Sequence, residues 1–191
     1  MLVTNIIEVT KADRTRAALT RAALELFDER GYDGTTAAAI AERAGVTEMT
    51  FFRYFPSKDS VLIADPYDPL IAQAILRQPA GVAPLTAAIT AIADGWKAIP
   101  APASTDVRDR LRIVARTPSL RGAVARNNAA TEEAIAGALV DRGIAGSEAR
   151  IAAAATMGAL SAALLDWAEG SDPDLGTAID AALRVLGGDR R

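Results

Sequence analysis

The sequence contains neither cysteine nor histidine. Disulfides, thiolate chemistry, thiolate or imidazole metal sites and every nucleophile paired with a histidine base are therefore excluded. Acid–base catalysis would depend on Asp and Glu, and no paired carboxylates stand on one predicted helical face in an apolar setting. We expect a protein that is not an enzyme and that uses no metal and no cofactor.

Aromatic residues and long apolar runs are also scarce. Phe, Trp and Tyr make up 5% of the chain, whereas half of the residues are hydrophobic, and alanine supplies much of that half. Because alanine is the strongest helix former, this composition favours an all-α chain with a sizeable core. No run approaches the roughly 18 apolar residues of a membrane span, and residues 2–9 lack the basic segment of a signal peptide. We expect no membrane partner and a cytoplasmic location.

Basic residues are not in excess. The formal net charge is −3, and the first 60 residues hold no surplus of Lys and Arg over Asp and Glu. This balance does not exclude a nucleic-acid partner, because binding depends on where the charges lie rather than on their sum.

The N-terminal part has the pattern of three short helices. Residues 1–12 show no periodicity and are expected to form a flexible tail, whereas apolar residues recur at helical spacing over 13–30. Two shorter helices are predicted over 37–44 and 47–55, with Gly45 supplying the positive φ of the tight turn between them. The pattern is that of a helix-turn-helix.

The third of these helices has an apolar face and a mixed outward face. Ile40, Phe51 and Phe55 are expected to point inward and to pack on the first helix. The outward positions are Thr47, Glu48, Met49, Thr50, Arg53 and part of Tyr54. A helix of this size fits the major groove of DNA, which is about 12 Å wide.

Several short motifs stand at fixed spacings between residues 14 and 60. They are Ala22-Ala23-Leu24-Glu25-Leu26-Phe27, Gly31-Tyr32, Thr35-Thr36, Ile40-Ala41, Ala44-Gly45-Val46 and Phe51-Phe52-Arg53-Tyr54-Phe55-Pro56-Ser57-Lys58. Together they resemble the DNA-binding domain of the tetracycline-repressor (TetR) family. The resemblance implies a helix-turn-helix domain over 13–60, a connecting helix to about residue 78, and an all-α ligand-binding and dimerisation domain over 79–191.

The resemblance also implies roles for individual residues. Thr36, Tyr54 and Lys58 would contact DNA phosphates, and Arg16 would reach a phosphate from the first helix. The residues implied to face bases are Thr47, Glu48, Met49, Thr50 and Arg53. Phe52 stands where family members often carry tyrosine, so the phosphate contact of that hydroxyl is lost or replaced.

Some of these residues also suit purely structural roles. Thr36, Thr47 and Ser57 are placed to act as helix N-caps. Lys58 is placed to be a solvated lysine in the first turn of a fourth helix that Ser57 caps. Both kinds of role stay open for these four residues.

The rest of the chain reads as helices separated by glycine and proline. They are predicted over 85–99, 106–116, from Pro118 to about 140, over 147–169 and over 173–186. The segments 96–100, 110–113, 117–121 and 163–167 resemble an actinobacterial branch that includes mycofactocin-system regulators. That likeness implies an acyl-chain or acyl-coenzyme A type of effector, and the scarcity of polar groups likewise favours an apolar or amphipathic one.

Three residues are candidate effector contacts: Trp96, Arg112 and Trp167. Arg108, Arg112 and Arg116 fall four residues apart and form one stripe. The stripe is either a solvated face paired with nearby aspartates or an anion site at a pocket mouth. The two tryptophans either belong to the core or stack on a ligand.

The last two predicted helices, within about 147–186, are apolar around most of their circumference. Since such helices are buried on both sides, we predict a homodimer through them. The predicted function is a sequence-specific transcriptional regulator, a ligand-released repressor that binds a near-palindromic double-stranded DNA operator. The alternatives are a helical enzyme or small-molecule-binding protein, or an adaptor with a vestigial helix-turn-helix.

Overall fold

The computed structural model describes residues 10–63, 68–98, 104–171 and 174–187. Within these ranges every regular element is helical, which confirms the all-α prediction. The helices are α1 (Lys11–Arg30), α2 (Ala37–Arg43), α3 (Glu48–Tyr54), α4 (Ser60–Ile63), α5 (Asp68–Leu76), α6 (Pro84–Ala98), α7 (Ser104–Arg116), α8 (Arg121–Asp141), α9 (Gly146–Glu169) and α10 (Leu175–Gly187). A short 3-10 helix, Pro118–Leu120, leads into α8. The chain divides into two compact units, Met1–Leu62 and Ile63–Arg191.

Helix α1 starts two residues earlier than the sequence pattern predicted. The Thr10 hydroxyl accepts a hydrogen bond from the Asp13 backbone N–H at 3.1 Å, and the Asp13 carboxylate accepts one from the Thr10 N–H at 3.0 Å. These reciprocal bonds satisfy backbone donors that have no partner within the helix. Lys11 and Ala12 are therefore helical rather than part of a tail, while residues 1–9 lie outside the described part.

Helix α4 also starts elsewhere than predicted. Its first residue is Ser60, so Lys58 precedes the helix instead of opening it. The Ser60 hydroxyl donates to the Ser57 carbonyl at 2.6 Å, and the Ser57 hydroxyl accepts from the Ser60 N–H at 3.4 Å. These local bonds accompany a bend over residues 56–58 and a turn at Asp59 in place of a first helical turn.

Two helix starts in the second unit differ from the predicted caps. Helix α9 begins at Gly146, so Ser147 is its second residue and not its cap. The side chain of Asp174 accepts from the Gly176 backbone N–H at 2.9 Å and thereby caps α10. The predicted start of that helix at Asp172 lies outside the described residues.

The first unit is built around side chains of α1, α2 and α3 that are closed to solvent. Leu19 and Leu26 of α1, Ile40 of α2 and Phe51 of α3 are each at most 1% exposed. Gly45 adopts a φ of +70° in the turn between α2 and α3, a conformation that costs glycine little. The inward prediction for Ile40 and Phe51 is confirmed, and this packing determines which face of α3 points outward.

The second unit has two apolar clusters that share α6 and α9. The first joins α5, α6, α8 and α9, and its members include Ile75, Ala88, Ile135, Leu139 and Ala153. The second joins α6, α9 and α10, and its members include Ile92, Leu160, Trp167, Ile179 and Leu183. Small alanine side chains in both clusters let neighbouring helices approach closely.

Among the helices in the described residues, α9 alone is long and apolar enough to span a membrane. It has 24 residues, and an 18-residue window within it has a mean hydropathy of 1.4. The expectation that no run approaches this limit is therefore wrong for α9, because alanine is apolar as well as small. Core helices meet the same criterion. Only 28% of the window is buried within the chain, so α9 carries more apolar surface than its own unit covers.

Leu139→Ala should lower the free energy of unfolding by about 2–5 kcal/mol. The side chain is fully buried in the first cluster of the second unit, and truncation leaves a cavity there. Val140→Ala is the matched control, because Val140 is 47% exposed and its truncation should change stability by less than about 0.5 kcal/mol. Urea unfolding measures both, and equal losses would contradict the described core.

Candidate nucleic-acid interface

Both short helices of the helix-turn-helix are capped by threonine hydroxyls. Thr36 Oγ1 accepts from the Ala39 N–H at 3.1 Å at the start of α2. Thr47 Oγ1 accepts from the Thr50 N–H at 3.2 Å at the start of α3 and lies 3.0 Å from Thr50 Oγ1. The predicted cap roles of Thr36 and Thr47 are confirmed. Both residues are exposed, so the cap places each hydroxyl at the surface.

The predicted base-facing residues lie together on the outward side of α3. Thr47, Glu48 and Arg53 are exposed, and Thr50 and Tyr54 are half-buried. Met49 is 83% exposed, the most exposed of the large apolar side chains described. Phe51, which is fully buried, anchors the opposite side of the helix.

Phe52 also lies on this outward face, although it is not among the positions predicted to point outward. It is 48% exposed, and its ring stands edge-on to Phe51 with ring centroids 5.3 Å apart and an interplanar angle of 90°. The signal that was available in the sequence is its position three residues after Met49, which places both side chains on one helical surface.

Arg16 lies at the C-terminal end of α3 rather than extending freely from α1. Its Nη2 donates to the Tyr54 carbonyl at 3.2 Å, and its guanidinium carbon is 4.9 Å from the Phe55 ring centroid. A cation suits this place, because the last carbonyls of a helix carry partial negative charge. Arg53, in contrast, contacts the Tyr54 ring at 5.3 Å from its exposed position.

Lys58 links the segment before α4 to the loop before α2 through hydrogen bonds. Its Nζ donates to the Tyr32 carbonyl at 2.7 Å and to the Thr35 carbonyl at 2.8 Å, and lies 3.9 Å from the Tyr32 ring centroid. Burial lowers the Lys58 pKa, an effect that the charges of Asp33 and Asp59 oppose. The role of a solvated lysine in a first helical turn is therefore wrong for Lys58. The phosphate contact stays a prediction, since one N–H of the ammonium is not used by these carbonyls.

A second set of hydrogen bonds holds the loop that presents Thr36, and it was not predicted from the sequence. Thr35 is 2% exposed, and its hydroxyl donates to the Gly31 carbonyl at 2.8 Å, with the Leu26 carbonyl at 3.2 Å. Burial, reinforced by nearby carboxylates, raises the pKa of Tyr32 in the same loop to about 12. Together with Lys58, these contacts hold the start of α2 in place.

Arg43 adds little positive charge to this surface. Its Nη2 pairs with Glu29 at 2.9 Å, and its Nη1 lies 3.3 Å from a Glu25 oxygen. The hydrogen bond from Arg43 lowers the pKa of Glu29. These exposed pairs largely offset the charge of Arg43, so Arg53 is the positively charged side chain that α3 itself presents.

In the second unit, two of the three candidate effector residues come together at the end of α9. Trp167 is 5% exposed, and the Arg108 guanidinium lies 4.2 Å from the centroid of its ring. Arg112 Nε donates to the Ala168 carbonyl at 2.8 Å. Arg108 and Arg112 thus pack against α9, so the stripe is not a solvated face at these two positions. Arg116, the third arginine of the stripe, is exposed. The Trp96 side chain lies outside the described part.

Trp167 is a core residue that leaves one polar atom unsatisfied. Its indole Nε1 is buried and has no hydrogen-bond partner within the described ranges. A buried N–H without a partner costs free energy, which an acceptor supplied from elsewhere would recover.

A separate open cleft of about 340 Å³ lies where the loop after α5 meets the end of α8. Val82, Asp141, Arg142 and Ile144 contribute to its lining. Arg142 donates from Nη2 to the Gln78 and Pro79 carbonyls at 3.3 and 2.5 Å. None of the three candidate effector residues lines this cleft.

The chain is similar to known proteins in both units. The family model for bacterial regulatory proteins of the TetR family matches residues 19–64, and that for the MftR C-terminal domain matches residues 82–190. The transcriptional regulator TcmR of Streptomyces glaucescens is 44% identical over 79 residues, which are 40% of this chain and 35% of TcmR. The match thus spans about a third of that relative's length.

Solved structures share the fold at low sequence identity. NalD of Pseudomonas aeruginosa, the secondary repressor of a multidrug efflux pump, has a TM-score of 0.56 and 23% identity over 93% of this chain and 96% of NalD. The regulator FadR of Bacillus subtilis, in complex with stearoyl-CoA, has a TM-score of 0.55 and 19% identity over 89% of this chain and 96% of FadR. The two family models together match most of the chain, and the chain therefore belongs to the TetR family of bacterial regulatory proteins, with a C-terminal domain of the MftR type.

Proposed function

We propose that this protein is a sequence-specific DNA-binding transcriptional regulator, a repressor that an effector releases from its operator. The observation that carries the proposal is the anchoring of α3 by the fully buried Phe51, which leaves Glu48, Met49 and Arg53 exposed on one surface. A short helix presented in this way suits the major groove. The role is non-enzymatic and belongs to the cytoplasm.

The proposed contacts divide into those that read bases and those that position the protein. Arg53 has the geometry for guanine O6 and N7, and Glu48 accepts from cytosine N4. Thr36, Tyr54 and Lys58 are the proposed phosphate contacts, which fix the register without reading sequence. The further proposed base contacts are Thr47, Met49 and Thr50, and Arg16 is the further proposed phosphate contact. Because Arg16 already donates a hydrogen bond to the Tyr54 carbonyl, its proposed phosphate contact lies next to that carbonyl.

The dimer is proposed to form through α9 and α10. Between residues 151 and 165, the exposed positions of α9 carry only apolar or small residues, namely Ile151, Ala154, Gly158, Ala162 and Leu165. Their spacing of three and four residues keeps them on one face of the helix. Val185 of α10 is 79% exposed. A two-fold pairing of these helices would bury this surface and would place two copies of α3 on a near-palindromic operator.

The effector is proposed to be apolar or amphipathic and of acyl-chain or acyl-coenzyme A type. The groups around Trp167 support this proposal. Its buried indole N–H has no hydrogen-bond partner among the described residues, and Arg108 and Arg112 lie next to it at the edge of an apolar cluster. A ligand with an apolar chain and an anionic head matches this combination. FadR of Bacillus subtilis shows the fold with such a ligand, stearoyl-CoA.

Arg53→Ala and Lys58→Ala should weaken DNA binding in different ways. Loss of a base contact changes which sequences are enriched from a random library, by roughly 1–3 kcal/mol of discrimination at the contacted position. Loss of a phosphate contact weakens all sequences alike and lowers the slope of log affinity against log salt by about 0.9. If Lys58→Ala lowered only the melting temperature and left the slope unchanged, Lys58 would be a positioning residue alone.

Ala162→Glu should yield monomers and abolish tight operator binding, because it places a charge in the middle of the proposed dimer face. Ala129→Glu is the matched control, since Ala129 is an exposed alanine of α8 outside that face. Light scattering gives the mass of each variant, and circular dichroism checks its folding. A folded Ala162→Glu dimer would contradict the proposed interface.

Titration with long-chain acyl-coenzyme A should weaken operator affinity by roughly 5- to 150-fold, the range of typical couplings of about 1–3 kcal/mol. Arg112→Gln should reduce this response without changing affinity in the absence of effector. Arg116→Gln, an exposed arginine of the same stripe, should respond as the wild type does. An acyl-coenzyme A that binds the protein and leaves DNA affinity unchanged would contradict the effector proposal.

A further inference from the structure

The outward face of α3 carries an apolar pair, Met49 and Phe52. The two side chains are 83% and 48% exposed, and their spacing of three residues makes them neighbours on the helix surface. The Phe52 ring stands edge-on to the fully buried Phe51, whereas Met49 is largely open to solvent. The apolar pair therefore gives this surface an exposed apolar part.

Exposure alone does not give the apolar pair a function, because single apolar residues are common on protein surfaces. Its position is the informative observation. The pair lies among Glu48, Thr50 and Arg53; Met49 is on the side of α3 opposite Phe51, and Phe52 is beside it. In the major groove of DNA, the apolar group that base pairs present is the C5 methyl of thymine.

The polar groups on the same face are few. The hydroxyls of Thr47 and Thr50 lie 3.0 Å apart and engage each other at the helix start. Glu48 and Arg53 are the charged side chains on the outward face. Apart from these four residues and Tyr54, the outward face of α3 consists of Met49 and Phe52.

We propose that Met49 and Phe52 are specificity residues that recognise thymine methyl groups, so that each operator half-site carries two thymines within one or two base steps. Three residues of helix advance by about 4.5 Å, and successive base pairs are about 3.4 Å apart. The missing hydroxyl of Phe52 suits this contact. The hydroxyl of a tyrosine at this position would lose its hydrogen bonds to water next to a methyl group, which costs free energy. The inference rests on the proposed DNA-binding function.

Uracil substitution in a selected operator tests the contact with the protein unchanged. The full-length protein first enriches its operator from a random library, and each thymine is then replaced singly by deoxyuridine, which lacks only the methyl. Affinity should fall about fourfold at two positions per half-site, because burial of a methyl-sized group contributes about 0.8 kcal/mol and 1.4 kcal/mol is a factor of ten. In an operator whose thymine at such a position is first changed to cytosine, replacing that cytosine by 5-methylcytosine should raise affinity by a similar factor.

Variants assign each methyl to a side chain. Met49→Ala and Phe52→Ala should each remove the uracil penalty at one position of the half-site and leave it at the other. Arg53→Ala should bind more weakly but keep both penalties. Val140→Ala, which shortens an exposed apolar residue of α8, should behave as the wild type. Circular dichroism and melting curves confirm that each variant is folded.

Three outcomes overturn the inference. An operator whose uracil forms all bind as tightly as the parent contradicts it while leaving the proposed function intact. Penalties that persist in both alanine variants contradict the assignment to Met49 and Phe52. Enrichment of no sequence at all contradicts the proposed function and the inference with it.

Discussion

The burial of Phe51 is the contact on which the DNA-facing surface depends. Its ring is closed to solvent within the unit that holds Leu26 and Ile40, so α3 cannot rotate about its axis without exposing a large aromatic side chain, at a cost of about 3 kcal/mol. Because α3 has only seven residues, this single anchor and the turn at Gly45 fix its orientation. Every assignment of Met49 or Arg53 to the groove follows from it.

The second unit meets a different constraint, which is an excess of small apolar residues. Alanine-rich helices pack closely, yet each alanine buries little surface, and α9 is left with 28% of its most apolar window covered. The uncovered side would be exposed to water in a single chain. In the proposed dimer, a second copy of the chain would cover this side, which links the composition of α9 to the proposed two-fold operator.

The sequence was sufficient for the helical architecture and for most of the outward face of α3, since both follow from apolar periodicity and from turn residues. Some features depended on contacts that no local pattern shows. Lys58 binds carbonyls of residues 32 and 35, far from it along the chain, so its place next to Thr35 could not be predicted. From the sequence, Phe52 was interpreted only as a tyrosine position that lacks the hydroxyl. Its exposure follows from the burial of Phe51, which the structure shows. The capping box at Thr10, in contrast, was a local signal that the sequence already contained.

Chemical footprinting of the operator complex shows whether α3 contacts base pairs in the major groove. Dimethyl sulfate methylates guanine N7 in the major groove and adenine N3 in the minor groove. With α3 in the major groove, the bound protein should protect guanine N7 atoms in two symmetric half-sites centred about 34–36 Å apart or further. Protection confined to adenine N3, or the absence of protection in a fully bound complex, would contradict the placement of α3 in the major groove.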